Sequence, residues 1–151
     1  MKLQKASRYA LYAVLHLASE PDKQHSTAEL AEEYEISIHH LAKVMRTLVR
    51  SGLIESVRGV GGGYRFAGNI RRSTLWDVIH EFESLESDID TPNNLSGTAE
   101  IVISGLDSVN NEIDGLIRST LDSITLKTLL MYGVENLERD RDAASNQATS
   151  E

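Results

Sequence analysis

The chain of 151 residues has no cysteine, two prolines and one tryptophan. Without thiols there is no disulfide, no thiolate metal site and no cysteine nucleophile. No run of eighteen apolar residues occurs, so no transmembrane helix is expected. The patterns of common catalytic sites are missing too: there is no G-x-S-x-G, no H-E-x-x-H and no P-loop. The carboxylates fall on segments where they read as solvated helix faces, so the chain does not read as an enzyme. Its start, "MKLQKASRYALYAVLHLASE", turns from basic to apolar as a signal peptide would. Arg8 and His16 interrupt the apolar stretch and no small-residue cleavage site closes it, so a cytoplasmic protein is expected.

The net charge of −8 speaks against nucleic acid until its distribution is considered. Residues 1–75 carry a net +4 and residues 76–151 a net −12. A cationic half joined to an acidic one suits a nucleic-acid-binding domain attached to a segment kept off phosphate. Charge asymmetry is common, however, and alone it decides little.

Periodicity organises the cationic half. Ser7 is placed to cap a helix from Arg8 to Ser19, with Ala10, Leu11, Val14, Leu15, Leu17 and Ala18 at helical spacing. "EPDKQH" reads as a turn. Ser26 with Glu29 makes a capping box for a short helix, Thr27 to Tyr34. After the turn "EIS", Ser37 caps a third helix, Ile38 to about Ser51, with Leu41, Val44, Met45 and Leu48 on one face. Gly52 stands where a C-terminal helix glycine belongs. "LIESVR" and "YRFAG" then read as two short strands. Helix, short helix, three-residue turn, helix and hairpin is the order of a winged helix-turn-helix.

Five of the ten glycines lie in "SVRGVGGGYRFAGN", residues 56–69. A dinucleotide loop would lead from a strand into a helix, and a P-loop would carry Lys-Ser/Thr. Here Gly59, Gly61, Gly62 and Gly63 lead into a strand, so they supply positive φ for a tight hairpin. Arg58 opens that turn and can reach the negative potential of a DNA minor groove; the plainer reading is a solvated strand end. The first residues of the third helix would meet bases and phosphates: Ser37, His39, His40 and Lys43, with Arg46 a turn later. Adjacent histidines diverge by about 100° on a helix, so His39 and His40 are not expected to chelate a metal. His16, His25 and His80 stand singly and read as structural or solvent-exposed.

The acidic half opens with "STLWDVIHEFE", a helix capped by Ser73 or Thr74 with Leu75, Val78, Ile79 and Phe82 as its stripe. A polar loop follows. Ala99 to Ile124 reads as one helix with a stripe of Ile103, Leu106, Val109 (or Asn110), Ile113, Leu116 or Ile117, and Leu121. At 1.5 Å per residue it spans about 39 Å, longer than a small core covers. Part of that stripe therefore asks for a partner, most simply a second copy; the alternative is packing on the chain's own first helix. "ITLKTLLMYGV" reads as a short helix and "ENLERDRDAASNQATSE" as a disordered tail. The resulting organisation is a DNA-binding domain over 1–83, a loop over 84–98, a dimerisation helix and short helix over 99–134, and a tail over 135–151.

These stretches resemble a known family. "MKLQKASRYALYAVLHLA", "AELAEEYEISIHHLAKVMRTLVRSGLIESVRGVGGGYRFA", "TLWDVIHEFE" and "ITLKTLL" are similar to the bacterial winged-helix regulators of the IscR/NsrR/CymR type, the Rrf-two family. The resemblance is close over 1–83 and collinear to about 134. It implies a mainly α fold with a small β-hairpin wing and a long dimerisation helix. It further implies a homodimer that regulates transcription, most often as a repressor, by binding a palindromic operator. Ser37, His39, His40 and Lys43 would then lie in the major groove or on its phosphates, and Arg58 and Gly59, with Gly61 in the same turn, would bring the wing to the minor groove. Ala42 stands where some relatives carry an acidic base-reading residue, which leaves the operator sequence open. Many relatives hold an iron–sulfur cluster on three cysteines; the third falls here at Ser104, and "DTPNNLSGT" supplies none. Such clusters need thiolates, so no cofactor is expected, whether the cysteines are absent by descent or by engineering. The signal would then be a small metabolite or a partner protein. A competing reading is a protein-interaction module that dimerises without specific DNA binding.

Overall fold

The computed structural model describes residues 2–83 and 94–148. The chain order is α1 (Lys5–Ser19), α2 (Thr27–Glu33), α3 (Ile38–Arg50), β1 (Ile54–Val57), β2 (Gly63–Phe66), α4 (Leu75–Ile79), α5 (Thr98–Ser123) and α6 (Leu126–Ala148). The core forms where the apolar faces of α1, α3 and α4 meet. Val14 and Leu17 from α1, Met45 and Leu48 from α3, and Val78 and Ile79 from α4 are almost wholly buried. Full burial of a side chain of this size stabilises by about 1.5–3 kcal/mol.

Helix α1 begins earlier than its sequence signals. Its N-cap is Gln4, and Ser7, expected as the cap, lies inside the helix and fully buried. Its hydroxyl donates to Glu83 Oε1 at 2.6 Å, and the Gln4 amide donates to the same oxygen at 2.9 Å. A carboxylate brought from beyond α4 thus takes up a donor at the positive end of α1. A cap supplied from so far along the chain leaves no local signature.

The α2 capping box forms as expected: the Glu29 amide donates to Ser26 Oγ and the Ser26 amide to the Glu29 carboxylate. At the end of α3, Gly52 has φ +77°. Its amide donates to Val49 O at 3.1 Å and that of Leu53 to Leu48 O at 3.2 Å, the paired bonds of a Schellman ending. Strands β1 and β2 pair antiparallel, Ile54 opposite Phe66 and Val57 opposite Gly63. The "EPDKQH" segment is more than a turn. His25 forms an antiparallel bridge with Tyr64, donating to its carbonyl at 3.0 Å and accepting from its amide at 2.8 Å. β2 is therefore flanked on both edges.

Helix α4 is shorter than "STLWDVIHEFE" suggested and is capped by a Thr74–Asp77 box. The junction between α5 and α6 is stitched to the segment leading into α4, where Thr74 and Thr125 form an isolated antiparallel bridge. Leu75 donates to Ile124 O, Leu126 to Ser73 O and Lys127 to Ile70 O, at 2.9, 2.9 and 3.0 Å. That seam fixes where the long helix leaves the winged domain. Two further boundaries differ from expectation. α5 starts at Thr98 behind Gly97 (φ +66°). The short helix and the tail read as disordered form one helix, α6, continuing through 135–148. Residues 135–145 are exposed, so this stretch rests on no buried face; its Glu, Arg and Ala favour helix, whereas its Asp and Asn do not. Of the loop read over 84–98, residues 84–93 lie outside the described residues.

Candidate nucleic-acid interface

The turn between α2 and α3 sets the recognition helix. Ile36 donates to Ala31 O at 2.8 Å and Glu35 to Glu32 O at 3.3 Å, with Glu35 at φ +52°. This is again a Schellman ending, with glutamate where glycine is usual. Ile36 is buried beyond it and anchors the turn.

On α3, Leu41, Val44, Met45 and Leu48 face the core. That orientation turns His39, Lys43, Arg46 and Arg50 outward, at i, i+4, i+7 and i+11, along one strip. All four are exposed, and His40 is exposed about 100° round the helix from His39. The strip thus assembles His39, Lys43 and Arg46 as read from sequence and adds Arg50. Arg50 reaches Thr47 Oγ1 at 3.5 Å; its spacing from Arg46 was the signal available. Ser37 occupies the N-cap position, but its hydroxyl makes no capping bond, contrary to expectation. Its exposed side chain stands beside the first turn.

The hairpin divides its glycines between two tasks. Gly59 (φ +111°) and Gly61 (φ +73°) provide the left-handed conformations expected of the turn. Gly62 and Gly63 do not; they are required by space. A Cβ on Gly62 would lie 2.5 Å from Val57 O, and one on Gly63 would lie 2.7 Å from His25 O. Arg58 is exposed at the base of the tip, and Val60 projects wholly into solvent. Arg65, on β2, is paired with Glu55 across the strands. Arg58 forms no ion pair among the described residues, which leaves its charge available.

The stripe on α5 divides. Leu121 is half-buried, packed against the core of the winged domain. Ile103 and Ile117 are half-buried. Leu106, Val109, Ile113 and Leu116 remain 58, 54, 47 and 63% exposed, and no residue of α5 is buried. Ile101 and Val102, not included in the stripe, are exposed as well. Arg118 lies over the Trp76 ring at 5.2 Å, tying α5 to α4 near its lower end. Packing on α1 therefore does not account for the upper stripe.

His16 and His25, read as standing singly, are brought together. Their rings meet edge-on at 4.6 Å, and both Nε2 atoms approach Glu20 Oε2, at 3.4 and 3.0 Å. The bridge from His25 to Tyr64 carries that histidine back over α1, and no sequence spacing signals it. The Lys23 ammonium, followed by the two imidazoles, holds the Glu20 carboxyl below its usual range. His80 instead stacks on Trp76 at 5.4 Å.

Comparisons with known proteins agree with this fold. Residues 3–132 match the family described as "Rrf2: Iron-dependent Transcriptional regulator". The chain is 44% identical over 150 residues to a Rhodopseudomonas palustris protein with the provisional description HTH-type transcriptional regulator BadM, covering 99% of this chain and 94% of that one. Among solved structures it is similar to IscR of T. potens (27% identity, 88% of each chain, TM-score 0.65). It is also similar to CymR, the global cysteine regulator of B. subtilis (25% identity, 87% of this chain and 98% of that one, TM-score 0.65). These relatives are transcriptional regulators, not enzymes. No helix among the described residues is long and apolar enough to cross a membrane. The family's description names iron, yet the chain has no cysteine at any position to ligate a cluster.

Proposed function

The chain belongs to the Rrf2 family of transcriptional regulators, and from that premise we propose that it is a homodimeric cytoplasmic repressor that binds a palindromic operator without an iron–sulfur cluster. The observation that carries the reading is the division of α3: one face is core, and the other presents His39, Lys43, Arg46 and Arg50 to solvent. Ser37, His39, His40, Lys43 and Arg46 serve base edges and phosphates in the major groove. Arg58, on the turn shaped by Gly59 and Gly61, serves the minor groove. The exposed stripe of α5 joins two copies, and their two-fold axis dictates the palindrome. With no thiolate for a cluster, the signal is a small metabolite or a partner protein, and anaerobically purified protein lacks stoichiometric sulfide.

The test is Arg58→Ala in an operator titration at several salt concentrations. Affinity falls, and the dependence of log K on log salt becomes shallower by about one unit. Unchanged affinity would remove the wing from the interface. Equal binding to operator and unrelated DNA would favour an interaction module over a sequence-specific regulator.

A further inference from the structure

The His16–Glu20–His25 cluster lies apart from α3, the wing tip and the exposed stripe of α5. His16 and Glu20 are one turn apart on α1 and at its end, and His25 arrives from the segment paired to β2. The three donor atoms lie within 4.8 Å of one another. A tetrahedral ion bound by imidazole nitrogen and carboxylate oxygen at about 2.0–2.1 Å sets its ligand atoms about 3.3 Å apart. The two nitrogen–oxygen separations, 3.4 and 3.0 Å, bracket that value.

Hydrogen bonding does not explain the cluster. Both Nε2 atoms are buried and neither has an aligned hydrogen-bond partner among the described residues. Two buried polar nitrogens left in that way are costly. The opposite edge of His16 is already used: Nδ1 lies 2.9 Å from the Tyr34 hydroxyl. When Nδ1–H donates to that oxygen, the Nε2 lone pair is left facing Glu20 and His25. This is the outer partner that orients a ligating imidazole. Glu20 divides its oxygens in the same sense, Oε1 accepting from Lys23 and Oε2 facing the imidazoles. The cluster lines a cavity of about 490 Å3, which Glu29 and Glu33 also line, leaving room for water or a carboxylate as a fourth ligand.

We propose that His16 Nε2, His25 Nε2 and Glu20 Oε2 form a binding site for a borderline divalent transition cation of the Fe2+ to Zn2+ series. Two imidazoles and one carboxylate suit those ions and provide too little oxygen for Ca2+ or Mg2+. The site needs no DNA, so its failure and that of the operator reading are separable. Its ligand His25 is joined through its backbone to Tyr64 of β2, so the ion would sit against the sheet that bears the wing.

The experiment is calorimetric titration of the chelator-treated full chain with Zn2+, paired with Co2+ absorbance to read the ligand field. One equivalent binds per chain and raises the melting temperature. Glu20→Gln and His25→Gln each weaken binding at least about tenfold and abolish the thermal shift. His39→Ala combined with His40→Ala leaves both unchanged. Glu20 is partly exposed, so Glu20→Gln gives a folded variant even if loss of His25 disturbs the sheet edge. No stoichiometric binding to the wild type, or binding that survives Glu20→Gln and vanishes with the α3 histidines, would overturn the site.

Discussion

Replacing Gly63 by alanine tests how the wing is held to the rest of the domain. The added methyl would lie 2.7 Å from the His25 carbonyl oxygen, 2.8 Å from its carbon and 3.1 Å from the Ser26 nitrogen. All three are backbone atoms and cannot swing aside. Relief requires the His25 segment to part from β2, breaking the bonds of 3.0 and 2.8 Å between His25 and Tyr64. At about 1 kcal/mol net for each bond, separation costs about 2 kcal/mol. Tolerating the overlap instead costs about 1–3 kcal/mol. The chain takes the cheaper route, so a loss of about 2 kcal/mol is expected, and a chain of this size then melts about 4–8 °C lower. Gly115→Ala provides the contrast. It lies within α5 with no atom of the described residues within 4 Å of the new methyl. It should stabilise by about 0.5–1 kcal/mol through helix propensity. Melting is followed by circular dichroism at a single chain concentration, because a dimer's midpoint depends on concentration. If Gly63→Ala melts with the wild type, the close approach of His25 to β2 is wrong.

Two other perturbations probe different parts of the molecule. In the proposed dimer, Ile113→Glu removes about 1 kcal/mol of burial from each of two copies and puts two carboxylates into the contact between them, raising the dissociation constant at least about 30-fold; sedimentation over a concentration series reads it, and an unchanged constant would place Ile113 outside the interface. Hydrogen bonds from the Ser26 backbone and hydroxyl hold the Glu29 carboxyl below its ordinary value of 4.5. A depressed folded value means this contribution is present above pH 4.5 and is lost as the pH falls through the folded value. Glu29→Gln does not titrate, so its melting deficit relative to wild type should shrink between about pH 6 and about pH 3; a deficit independent of pH would separate the box from the charge.

Local signals located most elements because each rests on neighbours in the chain. The Ser26–Glu29 box, the glycine ending α3 and the apolar spacing of α1 and α3 involve groups a few residues apart, and all appear in the fold. The outward strip of α3 was legible for the same reason: once Leu41, Val44, Met45 and Leu48 face inward, helical geometry leaves His39, Lys43 and Arg46 outside. Propensity without a buried face was the weak point, and the polar C-terminal segment continues as helix where composition suggested disorder.

Sequence by itself determined the periodicities, the turn chemistry and the absence of thiolates, since each depends on residue type and local spacing. Tertiary structure alone decided what distant segments do to one another. It set Glu83 on the first turn of α1, packed Leu121 against the core of the winged domain, and required Gly63 for space. It also folded His25 back onto His16 and Glu20. The physical reason is the same in each case: the partner comes from another element, and only packing around the shared core determines which groups meet.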